Sequence, residues 1–175
     1  MKKIYVWDPF IRIFHWSVVL IVILNMTIFE EGSVHNNLGY ALAVLLALRL
    51  LWGLFGPNYA RLSSLIPKTK NIAEHLKGLS DKSTFSIGHN PLGALMICNL
   101  LVTLVAIVLT GHLMTTLTFF GSEFLEEFHE ALAIWLMISV LLHVSGVLFE
   151  SFRTNVNLIS AMFTGIKTFY SDEQD

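Results

Sequence analysis

A single cysteine, Cys98, stands in a chain of 175 residues. One thiol can neither close an internal disulfide nor build a thiolate metal cluster, which excludes a secreted disulfide scaffold and a cysteine-based metal centre. Charge is scarce too. Asp, Glu, Lys and Arg make up 14% of the residues, where an ordinary soluble domain carries about a quarter. The net charge is −2 and the few basic residues are dispersed, so nucleic acid is excluded as a partner. Low-complexity tracts and fixed-period repeats are absent, and the composition is too apolar for a disordered tail.

Apolar and aromatic residues are what the chain has in excess, at 54% with a mean hydropathy of +0.66. A soluble domain of about 150 residues buries only about 70% of the surface its unfolded chain exposes, so this much apolar side chain needs a lipid bilayer. Four stretches almost free of Asp, Glu, Lys and Arg approach or exceed the length of about 20 residues that crosses the hydrocarbon core. They run over 13–29, 34–55 (interrupted only by Arg49), 91–120 and 131–149. The expected fold is an all-α integral membrane protein. It is one domain, 1–175, a four-transmembrane-helix bundle with spans at about 13–31, 34–55, 91–120 and 124–152. Gly32-Ser33, Gly56-Pro57, Asn90-Pro91 and Gly121-Ser122 punctuate the ends. Residues 71–82 and 155–170 read as short interfacial helices or as plain loop and tail.

The eleven basic residues fall on one side. Lys2, Lys3 and Arg12 precede the first span, Arg49 lies near the end of the second, and Arg61, Lys68, Lys70, Lys77 and Lys82 fill the connection to the third. Arg153 and Lys167 follow the fourth. Glu30 and Glu31 mark one of the other connections, and Glu123, Glu126, Glu127 and Glu130 mark the last. The positive-inside rule therefore predicts that both termini and the 56–90 connection are cytoplasmic, in a multi-pass protein of the bacterial inner membrane. The opening Met-Lys-Lys-Ile-Tyr-Val-Trp has no small-residue cleavage pattern, so the first span is expected to be retained.

Ionisable side chains inside a membrane point to function. Of seven histidines, His15, His35, His112, His129 and His143 fall in or at the edges of spans. His129 and His143 are fourteen residues apart, about 40° short of four full turns, which sets both on one helix face about 21 Å apart. Topology puts His35 at the depth of His129 and His15 at the depth of His143. Two transverse imidazole pairs result. Without thiolates or carboxylates beside them, such pairs suit a bis-histidine haem iron better than zinc, calcium or magnesium. Gly39 and Gly146 lie close to His35 and His143, where a missing side chain admits a flat macrocycle. His112 is the alternative partner of His129. His75 reads as solvated surface, and His89 as a helix-entry residue with a quinone or propionate contact as its alternative. Arg12, Arg49 and Arg61 are candidates for haem propionates or for headgroup contact. Asn25, Asn99 and the span threonines read as interhelical hydrogen-bonders.

An ordered set of short motifs resembles the prokaryotic cytochrome b561 and nickel-iron hydrogenase b-type cytochrome subunit family. It comprises Val6-Trp7-Asp8-Pro9 with Arg12 and Phe14-His15-Trp16, His35 with Leu38-Gly39-Tyr40, and Arg49-Leu50-Leu51-Trp52-Gly53. Gly56-Pro57 with Ala60-Arg61, Gly88-His89-Asn90-Pro91-Leu92-Gly93 and Thr110-Gly111 follow. His129-Glu130-Ala131-Leu132-Ala133, His143-Val144-Ser145-Gly146-Val147, and Met162 with Thr164-Gly165-Ile166-Lys167 complete it. The resemblance implies a four-helix membrane cytochrome with two haem b groups. It implies axial ligands His15 and His143 for the inner haem and His35 and His129 for the outer one. One departure is His112, where the family usually has an apolar residue. Another is the lack of any Cys-x-x-Cys-His for a covalent haem.

The function expected from this reading is electron transfer in a respiratory chain, between a quinone pool and a redox partner protein. That partner is a periplasmic cytochrome c or a hydrogenase-like enzyme, membrane lipid surrounds the bundle, and a homodimer is a further option. Quinol oxidation is the reaction that would make the chain an enzyme. The alternative classes are a histidine-based membrane transporter and a metal-binding membrane protein.

Overall fold

The computed structural model describes residues 2–65, 88 and 90–169. Four long helices dominate: α1 (Pro9–Thr27), α2 (Gly32–Phe55), α3 (Pro91–Met114) and α4 (Glu123–Thr154). All four are long and apolar enough to cross a membrane. A seven-residue helix, α5 (Leu158–Thr164), follows them. The side chains of Leu20, Val44, Val102 and Leu141, one on each long helix, are 57%, 60%, 69% and 66% exposed in the isolated chain. Such large apolar groups turned outward along every span are what a lipid-facing surface requires.

Local chemistry sets the helix ends. Asp8 caps α1 by accepting from the Ile11 amide at 3.1 Å, with Pro9 in the first turn. Asn90 does the same for α3 through Gly93 N at 2.6 Å, ahead of Pro91. The first helix thus begins before the expected start at residue 13 and ends at Thr27. The third stops at Met114 rather than 120. Beyond it the Thr115 and Thr116 hydroxyls turn back onto the carbonyls of His112 and Leu113 at 2.7 and 2.6 Å. Those bonds satisfy carbonyls that a longer helix would have used, and a run of turns carries the chain to Gly121 at φ +75°.

The all-α expectation needs one correction. Strands β1 (Lys2–Tyr5) and β2 (Ile166–Phe169) pair antiparallel, with Lys2 opposite Phe169 and Tyr5 opposite Ile166. Residues 155–170 are accordingly part helix and part strand; those at 71–82 lie outside the described residues. The clasp depends on Gly165, which ends α5 at φ +83° and whose carbonyl accepts from Val6 N and Trp7 N at 2.8 and 3.1 Å. A β-carbon there would come within 2.6 Å of the Trp7 carbonyl oxygen, so only glycine allows the two ends to close.

Two apolar clusters hold the fold. Ile21, Leu42, Leu46, Leu104 and Leu136 bring the four long helices together in mid-bundle. Val6, Trp7, Ile11, Ala60 and Ala161 pack beneath the clasp. Between α3 and α4, the fully buried Ser139 hydroxyl accepts from Asn99 Nδ2 at 2.8 Å, and Trp135 Nε1 donates to Asn99 Oδ1 at 3.1 Å. Asn99 is an interhelical hydrogen-bonder as its position in a span suggests.

Candidate haem sites

The α1–α2 and α3–α4 connections lie together at one end of the bundle, here termed the acidic end for its glutamates. His35, in the first turns of α2, and His129, near the start of α4, face each other there with ring centroids 6.2 Å apart and planes at 68°. Nδ1 of His35 lies 2.9 Å from the Phe29 carbonyl oxygen, which can only accept, so that nitrogen carries the proton. Nδ1 of His129 lies 2.8 Å from Thr110 Oγ1. The Thr110 hydroxyl gives its own proton to the carbonyls of Ala106 and Ile107, at 2.9 and 3.0 Å, and therefore accepts from His129. Both imidazoles are thus held with a proton on Nδ1 and a lone pair on Nε2, the tautomer that a metal ligand needs.

Two neutral imidazoles this close, each with Nε2 uncommitted, would hold one haem iron between them. Around the pair lies an apolar cavity, part of it open to the outside, walled by Ile21, Leu42, Ile107 and Leu136. Gly111 makes room for the ring, since a β-carbon there would sit 3.2 Å from His129 Cε1. Gly39 leaves a second stretch of wall open, with nothing within 4 Å of where a β-carbon would stand. Haem, a flat and largely apolar macrocycle whose iron takes imidazole nitrogen, fits this donor set.

Toward the clasp end, His15 on α1 and His143 on α4 come within electrostatic reach of each other. His15 Nδ1 is buried with no hydrogen-bond partner, an unmet need for a ligand or second group at this site. Its ring stands edge-on to Trp16 at 4.9 Å. Gly146, three residues beyond His143, again has open space in place of a side chain. Two arginines at the clasp end retain unused nitrogens. Arg49 is 5% exposed with Nη1 unpartnered, and lies within electrostatic reach of Asp8. Arg12 donates from Nη1 to the Phe163 carbonyl at 2.5 Å while its Nε is buried and unpartnered. Arg61 is committed to structure, donating to the Gly56 carbonyl at 3.0 Å.

Of the histidines read from sequence, the structure sets His35 rather than His112 against His129. His112 lies instead beside Tyr40, with its Nδ1 3.3 Å from the hydroxyl. His75 and His89 are outside the described residues. Among the described residues no three His, Cys, Asp or Glu side chains cluster as a metal-holding group, so each pair offers imidazoles alone. Sequence reasoning missed the roles of Thr110 and of the Phe29 carbonyl, because both act on rings that only the tertiary fold brings near.

The model of the prokaryotic cytochrome b561 family matches residues 6–165. The chain belongs to that family. This cytochrome b561 member is 26% identical to a probable Ni/Fe-hydrogenase B-type cytochrome subunit of Azotobacter vinelandii, over an alignment of 219 residues covering 98% of this chain and 91% of the relative. A protein of the same description from Azotobacter chroococcum mcd 1 is 25% identical with the same coverage. No solved structure matches. The cytochrome b561 member is therefore a membrane b-type cytochrome of electron transport, and haem is its cofactor.

Proposed function

We propose that the chain, as one domain over 1–175, holds two haem b groups in series and passes single electrons through the inner membrane, between a quinone pool and a redox protein of a respiratory chain. His35 and His129 would hold one haem iron at the acidic end, and His15 and His143 would hold the other at the clasp end. Haem, when bound, supplies one-electron ferric–ferrous chemistry. The chain's own residues do the rest. Phe29 and Thr110 fix the ring tautomers at the acidic end, the apolar walls exclude water, and the spare nitrogens of Arg12 and Arg49 would hold haem carboxylates at the clasp end.

The charge pattern supports an orientation with both termini cytoplasmic and the acidic end outside. There Glu30, Glu31, Glu123, Glu126 and Glu127 steer a basic surface of the partner. The names of the Azotobacter relatives favour a hydrogenase-like enzyme as that partner over a cytochrome c. The observation that carries this reading is the His35–His129 pair, facing at 6.2 Å with both Nδ1 atoms engaged. A pyridine haemochrome assay with reduced-minus-oxidised spectra on the purified chain tests it. Two low-spin b haems per chain are expected, falling to one in His129→Ala and in His143→Ala. Retention of two unchanged haems in both variants refutes the ligand assignment.

A further inference from the structure

Haem brings two kinds of polar group into a cavity, its iron and its two carboxylates. At the clasp end arginine nitrogens stand ready for the carboxylates. The acidic end has no such cation, because residues 13–48 and 83–152 contain neither Lys nor Arg. The cavity there nevertheless has a polar stretch of wall besides His35 and His129, made by Tyr40 on α2 with His112 and Thr115 at the end of α3. An imidazole at the edge of a span is costly and needs a reason. Ligation does not supply one, since His35 and His129 already account for both sides of one iron.

The hydrogen bonds of the trio leave one atom uncommitted. The Thr115 hydroxyl gives its proton to the His112 carbonyl at 2.7 Å, so toward Tyr40, at 3.2 Å, it accepts. The Tyr40 proton is spent there, and the Tyr40 oxygen therefore accepts from His112 Nδ1 at 3.3 Å. The two rings meet edge to face at 6.0 Å. Nε2 of His112 is what remains, on a ring tethered through its other nitrogen.

We propose that His112, tethered by Tyr40 and Thr115, binds a carboxylate of the acidic-end haem through Nε2, with one proton shared between them. A carboxylate and the lone pair of a neutral imidazole both accept, so the contact requires that proton. With it the pair has no net charge, whether written as imidazolium and carboxylate or as imidazole and carboxylic acid, and an apolar cavity tolerates a neutral pair best. The contact rests on the electron-carrier reading above and adds the side chain that turns the carboxylate edge of the haem toward the end of α3. His112 is a positioning residue here and not an axial ligand.

The test compares haem with haem dimethyl ester, which keeps the ring and the iron but has no free carboxylate. Full-length His143→Ala, which leaves the acidic-end site alone, is loaded with each, and transfer to an apoprotein scavenger is followed by absorbance. The ester is expected to leave faster than haem. Adding His112→Leu should lower that ratio about three- to tenfold, the loss of one hydrogen bond, with the low-spin spectrum retained. Tyr40→Phe, which keeps the imidazole and removes its tether, should lower it less. In His129→Ala, which keeps the clasp-end haem, His112→Leu should leave the ratio unchanged. A ratio that His112→Leu does not move in His143→Ala overturns this proposal alone, because a purely structural role speeds both losses alike. Loss of the low-spin spectrum in His112→Leu also overturns it, since His112 would then be serving the iron. A full-length chain that takes up no haem overturns the electron-carrier reading and this proposal with it.

Discussion

The Thr110 hydroxyl decides which nitrogen of His129 keeps its proton. Its own hydrogen is committed to the α3 backbone, so at 2.8 Å it can only accept from Nδ1. Partners of this kind govern ligand basicity and ring orientation, and their loss costs about 10- to 100-fold in metal affinity. Thr110→Val is therefore expected to weaken haem retention at the acidic end by that factor while sparing the other haem, and Thr110→Ser to restore it. Haem transfer to an apoprotein scavenger, followed by absorbance, measures both.

Gly111 provides a steric counterpart to that hydrogen bond. A β-carbon at this position already meets His129 Cε1 at 3.2 Å, so Gly111→Ala forces a small ring displacement and Gly111→Val a larger one. A graded broadening and loss of the low-spin signal from one haem is expected across glycine, alanine and valine. An electron paramagnetic resonance series on the oxidised protein would read it. Equal spectra across all three would mean that the ring does not need this space.

Ser139 is fully buried between α3 and α4 and accepts from Asn99. Ser139→Ala removes one interhelical bond, worth about 0.6 kcal/mol on average in membrane proteins and at most about 1.7. Ser139→Leu adds an overpacking cost of about 1–3 kcal/mol. Detergent-titration unfolding should therefore order the proteins wild type, alanine, leucine, with the larger step at leucine.

Lys167 gives the clasp a pH dependence. Burial pushes its ammonium down to about 8, against a weaker upward pull from Glu150. A lysine whose folded value is depressed binds fewer protons folded than unfolded between about pH 8 and 10.5, so stability rises with pH across that window. It is lowest below pH 8, where the charged form is buried in full. The shift corresponds to a gain of about 3 kcal/mol at most. Melting from pH 7.5 to 10.5 should show a rising midpoint in the wild type and a flatter profile in Lys167→Met, the difference between the two isolating this group.

Much of the bundle could be read from the chain because a bilayer imposes one simple demand, about 20 apolar residues per span, on a sequence with few charges. Asn90-Pro91 and Gly56-Pro57 mark helix ends that the structure reproduces. Histidine spacing along one helix was legible for the same reason, since 3.6 residues per turn is a local rule. What escaped was long-range or terminal. The third helix ends at Met114 because threonine hydroxyls compete for its last carbonyls, and apolar content carries no trace of that competition. The β1–β2 pairing joins residues more than 160 positions apart and rests on the conformation of Gly165, which no window of sequence displays. Thr110 reads as an interhelical hydrogen-bonder; only the fold turns it toward His129.

The strand pairing of Lys2–Tyr5 with Ile166–Phe169 also bears on biogenesis. During synthesis β1 emerges first, and its partner β2 emerges only after all four long helices. Until then the first strand has no ladder to join, and Arg12 and Trp16 have no Phe163 or Met162 carbonyl to meet. Among the described residues closure is thus the last pairing that translation permits, and a nascent chain halted before Gly165 is expected to leave its amino-terminal segment more open to proteolysis than it is in the closed fold.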